Sequence, residues 1–120
     1  MPKYCQLSDF QDSLIAGNVT DETLLKADAY VDALLNQIGI DPATVNPSDY
    51  PILKQLAVYF ASYLTALELS SGENDVYLQK AKAYKELYEK LEKRLIEHGL
   101  RVQTENETET PSFTIKLTRG

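Results

Sequence analysis

The sequence predicts a mainly α protein, a small bundle of about four helices followed by a C-terminal extended or β-hairpin-like arm. Two observations carry this expectation. Apolar residues recur at helical spacing in three long segments, each bounded by capping residues and turn formers. In the last twenty residues the period changes. Leu100-Arg-Val102-Gln-Thr104 and Phe113-Thr-Ile115-Lys-Leu117-Thr alternate apolar and polar, the period of a half-buried strand, around the polar run Glu105–Pro111. The expected division is therefore a helical domain over 1–100 and an arm over 101–120.

The elements follow in order. Ser8-Asp-Phe-Gln11 has the spacing of a capping box, predicting a short helix to about Ile15 that Gly17-Asn18 closes. Thr20 or Asp21 caps the next helix, with Asp21 and Glu22 at its positive dipole end. Its stripe is Leu24, Ala27, Val31, Leu34, Leu35 and Ile38, with Asp28 and Asp32 on the border, and Gly39 ends it. Asp41-Pro42-Ala-Thr-Val45 reads as a one-turn helix and Asn46-Pro47-Ser48 as a turn.

The third long helix begins near Ser48 or Asp49, tolerates Pro51 in its first turn and reaches about Leu69. No charge occurs from Leu56 to Leu67, so this helix is expected to be buried on more than one side, by the small elements and tail or by another subunit. Ser70-Ser-Gly72 interrupts the pattern. Asn74 or Asp75 then caps a charged helix running to about His98, with Gly99 as its stop. Its stripe is Tyr77, Ala81, Tyr84, Leu87, Tyr88, Leu91 and Leu95. Opposite charges at i,i+4, among them Lys82–Glu86 and Glu89–Lys93, predict one wet face.

Composition bounds the function. At 120 residues the chain is of single-domain size, with no apolar run long enough to span a membrane and no apolar signal core in Met1–Cys5. A cytosolic-type environment is expected, and the sequons at Asn18 and Asn106 read as chance matches. The net charge of −6 is uneven: residues 1–75 hold 11 acids and 3 bases, and 76–120 hold 7 acids and 9 bases. Sequence-blind DNA binding rests on Lys and Arg neutralising phosphates, and no basic excess supplies it. The acidic surface suits instead a protein that DNA passes without sticking, and the polarity suits contacts between unlike faces of neighbouring copies.

Chemistry has few candidates. His98 reads as a residue complementing a helix C-terminus, and its neighbour Glu97 points elsewhere on a helix, so no dyad is expected. Cys5 reads as a packed thiol. Asp28 and Asp32 form the one close carboxylate pair beside an apolar face, able in principle to hold a cation but read as solvated edges or interface partners. With one histidine, one cysteine and no glycine-rich loop, no catalytic residue, metal site or cofactor is expected. The unusual component is tyrosine, eight residues against three Phe and no Trp. Tyr59 and Tyr84 are assigned to the core, and Tyr30, Tyr63 and Tyr88 are candidate partner-binding residues.

The order of elements carries more than any motif. A short capped helix, a Gly-Asn turn and Asp21-Glu-Thr-Leu-Leu-Lys-Ala-Asp-Ala-Tyr-Val-Asp-Ala-Leu-Leu35 come first. The proline-led helix Tyr50-Pro-Ile-Leu-Lys-Gln-Leu-Ala-Val-Tyr-Phe-Ala61 and a charged helix follow. Over about residues 8–95 this resembles the head–tail connector (adaptor, or head-completion) proteins of tailed bacteriophages. The linker after Ile40 is longer than a minimal connector needs, and the hairpin-like tail is a further departure.

The resemblance implies a structural virion protein at the head–tail interface, assembled in the host cytoplasm. It implies a ring, commonly of about twelve copies, beneath the portal protein, extending the DNA channel and docking the tail or a stopper protein. It implies no sequence-specific DNA contact, no membrane and no enzymatic activity. The alternating arm is expected to add a strand to a partner, with Phe113, Ile115 and Leu117 as anchors. The alternatives are a cytosolic helical interaction module acting as a dimeric regulator, and a small enzyme whose site forms between subunits.

Overall fold

A computed structural model describes residues 3–71 and 75–100. The chain is mainly helical: α1 (Ser13–Ala16), α2 (Asp21–Gln37), α3 (Pro51–Leu69) and α4 (Val76–His98), with single 3-10 turns at Leu7–Asp9, Pro42–Thr44 and Pro47–Asp49. The arm over 101–120, with Phe113, Ile115 and Leu117, lies outside the described residues.

The boundaries follow from local chemistry. The Thr20 hydroxyl accepts from Thr23 N–H at the start of α2, and the Asp75 carboxylate accepts from Leu78 N–H at the start of α4. Asp41 and Asn46 cap the two proline-led 3-10 turns in the same way. Gly39 and Gly99 follow α2 and α4 at φ 84° and 70°, a left-handed backbone that a side chain would strain.

The N-terminal element departs from expectation. In place of one helix from Ser8 to Ile15 there is a 3-10 turn, an extended Phe10, and a one-turn α1 whose cap is Asp12, accepting from Leu14 N–H at 3.1 Å. Asp9 spends its carboxylate on Gln6 N–H and on the Lys54 ammonium. The extended backbone at Phe10 lets that ring drop into the core, where it is 7 % exposed. Core burial of an aromatic ring outweighs continuing a short helix.

The apolar character of α3 also has an answer within the chain. α3 packs against α2 on one side and α4 on the other, and residues 9–12 lie across a third side. Leu53, Leu56, Ala57, Ala61, Ser62, Thr65 and Ala66 are buried without a second subunit. The small residues among them let the helices approach closely. α2 and α4 supply the opposing layers, with Leu24, Ala27, Val31, Leu34 and Leu35 from the first and Ala81, Tyr88, Leu91 and Leu95 from the second.

Candidate functional site

Of the three tyrosines expected to bind partners, all belong to one cluster around Phe60. Tyr30 stacks on Phe60 at 4.2 Å between centroids, and Tyr88 meets Tyr30, Phe60 and Tyr63 edge-on at 5.4–5.5 Å. The cluster joins α2, α3 and α4. Tyr88 is 8 % exposed and packs in the core of the single chain, and burial pushes its phenol up to about 12. Tyr30 and Tyr63 are half-buried at the edge. Burial and the acceptor Glu92, bonded at 2.8 Å, raise the Tyr30 phenol, so it donates rather than ionises.

On the other side of α3, Tyr59 and Tyr84 are also half-buried, 6.2 Å apart, and line a cleft of about 280 Å³ with Phe10, Asp12, Lys54 and Val58. Residues 3–12 form a strap that starts on α2 and whose last residues, 9–12, line this cleft. Asp28, buried in α2, accepts the backbone N–H groups of Lys3 at 2.8 Å and Tyr4 at 3.2 Å. Asp32 takes the Tyr4 hydroxyl at 2.5 Å and the Lys3 ammonium at 3.0 Å. At the other end Asp12 accepts from both Lys80 and Tyr84 of α4 at 2.7 Å. Burial by itself raises the Asp12 pKa; the Lys80 and Tyr84 hydrogen bonds outweigh it, and the carboxyl titrates below its ordinary 3.8.

The carboxylate pair thus has a structural task. Asp28 is no solvated edge, and the cation beside Asp32 is the chain's own Lys3. Sequence reasoning noticed the pair but missed Lys3, Tyr4, Asp12 and Lys80, whose partners lie 24 to 72 residues away.

The chemistry these groups allow is limited. The Cys5 side chain, carried by the strap, is buried in the core, and desolvation, then the nearby Asp28 charge, pushes its thiol up to about 12, so it packs as a thiol. Among the described residues no three His, Cys, Asp or Glu side chains gather as a metal site. His98 is exposed in the last turn of α4, with Nε2 4.0 Å from Glu97. None of the i,i+4 charge pairs of α4 closes to an ion pair. Among the described residues, the α4 cation that closes a Lys–carboxylate bridge is Lys80, which reaches across to Asp12.

The surface carries the remaining signal. Leu25 on α2 is 49 % exposed, and Val76, Leu87 and Ile96 on α4 are 48 %, 39 % and 44 % exposed. No described helix is long and apolar enough to cross a membrane. No family model, no curated protein and no solved structure matches the chain.

Proposed function

We propose that the chain is a structural assembly protein of a tailed-phage virion, a head–tail connector without enzymatic activity. It forms a ring beneath the portal, extends the DNA channel and docks the tail or stopper. The observation that carries this reading is the exposed aliphatic set on the two helices that flank α3. The core is closed by α2, α4 and the strap, which leaves Leu25, Val76 and Leu87 exposed among the described residues and available to contacts between copies. The strap pins the N-terminal segment onto this body, giving a preorganised block suited to repeated head-to-tail contacts. The acidic surface of the first half lets DNA pass.

Absolute mass by light scattering after size exclusion, at several protein concentrations and with added portal rings, tests the proposal. A closed species of about twelve copies, alone or on the portal, is the expected result. A concentration-independent dimer that ignores the portal overturns it in favour of the dimeric regulator.

A further inference from the structure

One strip of α3 stays open. Lys54, Gln55, Val58, Tyr59 and Ser62 follow one another along a single face and wall the cleft of about 280 Å³, which Phe10 and Tyr84 complete. Val58, Tyr59 and Tyr84 are half-buried, an apolar surface that water still reaches. Gln11, Gln55 and Ser62 bring amide and hydroxyl groups into the same walls, donors and acceptors for a peptide backbone. From Lys54 to Ser62 the strip is about 12 Å long at ~1.5 Å per residue.

The arm carries a segment of matching length. Phe113, Ile115 and Leu117 alternate with Thr114 and Lys116, so an extended backbone turns all three to one side. Phe113 and Leu117 then stand about 13 Å apart at ~3.3 Å per residue. The tether fits as well. The described residues end at Leu100, just past α4, and Tyr84 in the cleft lies about 21 Å back from His98 along that helix. From Leu100 to Phe113 a flexible chain has a root-mean-square length of about 20 Å and a limit of about 45 Å. Effective concentration is highest where the root-mean-square length matches the span. A groove beside Pro47 and Pro51 and another beside Leu7 and Leu25 have no α4 residue in their walls.

We propose that residues 112–118 dock in this cleft of their own chain, with Phe113, Ile115 and Leu117 against Val58, Tyr59 and Tyr84. The occupant is the chain's own arm because α4 both lines the cleft and leads into the arm, and because strip, segment and tether agree in length. Docking covers the open strip of α3 and takes three large apolar side chains out of water. It is a property of a single copy and stands apart from the connector reading. A partner that engages the arm must displace it from the cleft, so an isolated copy keeps its anchors covered.

Cysteine pairing within the 120-residue chain tests this. Ile115 is the middle anchor and Val58 the middle of the α3 strip, so Val58→Cys/Ile115→Cys reports docking whichever way the segment runs. Ala83→Cys/Ile115→Cys is the control, since Ala83 precedes Tyr84 on α4 but is exposed and outside the cleft. Cys5 stays buried in the core. Under limiting oxidant the first pair should close within one chain at least about tenfold faster than the control, at a rate independent of protein concentration. Adding Phe113→Ser should slow closure about tenfold, the loss of one buried apolar anchor, with circular dichroism unchanged. Separately, Phe113→Trp adds the chain's one indole, whose emission should be blue-shifted and shielded from acrylamide. Equal closure rates for the two cysteine pairs overturn the docking, as does an indole as exposed as it is in urea. Links that form mainly between chains and rise with concentration also overturn it, because they place the arm on a neighbour.

Discussion

Asp28→Ala is the sharpest perturbation of this fold. The carboxylate is 6 % exposed and accepts two backbone N–H groups, so its removal leaves the N–H groups of Lys3 and Tyr4 without an acceptor. Hydrogen bonds to a charged group contribute about 1.5–3 kcal/mol each, and release of the strap into water recovers part of two such losses. The expected destabilisation of the closed strap is therefore about 2–4 kcal/mol. At tenfold per 1.4 kcal/mol, the open population rises by about 30- to 700-fold. Cys5 reports that opening directly, because its side chain is carried by the strap and stays in the core, with its thiol held protonated, until residues 3–5 lift. Labelling Cys5 with an aromatic disulfide should accelerate by that factor in Asp28→Ala, provided global unfolding remains slower than strap opening. Asp28→Asn removes the same charge beside the thiol yet keeps one acceptor oxygen, so it should fall between the parent and Asp28→Ala. If both variants label at the parental rate and unfold at the parental urea midpoint, the strap is not held through Asp28.

Two further outcomes follow from single groups. The Asp12 carboxyl is bonded by Lys80 and Tyr84 and titrates below 3.8 in the folded chain, so its stabilising contribution is complete above the unfolded value and is lost as pH falls through the folded one. Acid titration of the urea midpoint should show this loss below about pH 4 in the parent, and Asp12→Asn should flatten that part of the curve. In α3, the Thr65 hydroxyl is buried with no hydrogen-bond partner among the described residues. Thr65→Val keeps the shape and removes the unpaired group, so the urea midpoint should rise by the equivalent of about 1 kcal/mol. A fall of the same size would mean that the hydroxyl does have an acceptor.

The long helices were legible from sequence because caps, glycine stops and apolar stripes are local signals. Thr20, Gly39, Asp75 and Gly99 mark boundaries by side-chain and backbone chemistry that acts within four residues. The short N-terminal helix misled for the converse reason. Ser8-Asp-Phe-Gln11 satisfies a local rule, but so brief a helix is marginal, and burying Phe10 and pairing Asp9 with Lys54 decide the backbone there.

The apolar stretch of α3 shows the same division. Composition dictated that it be covered on several sides. Whether α2, α4 and the strap or a second chain did the covering depended on how the helices pack, and packing is not a property of any one segment. The tyrosines divide likewise, since helical spacing cannot tell Tyr88 in the core from Tyr30 and Tyr63 at its edge. Asp28 and Asp32 were visible as a pair, and their role was not, because the groups they bind sit at the chain's beginning. By itself the sequence determined the helices, their order and their ends, since these are set by interactions between near neighbours. Only the tertiary structure decided which charges meet and which faces stay open, since contacts between distant residues exist only once the chain has folded.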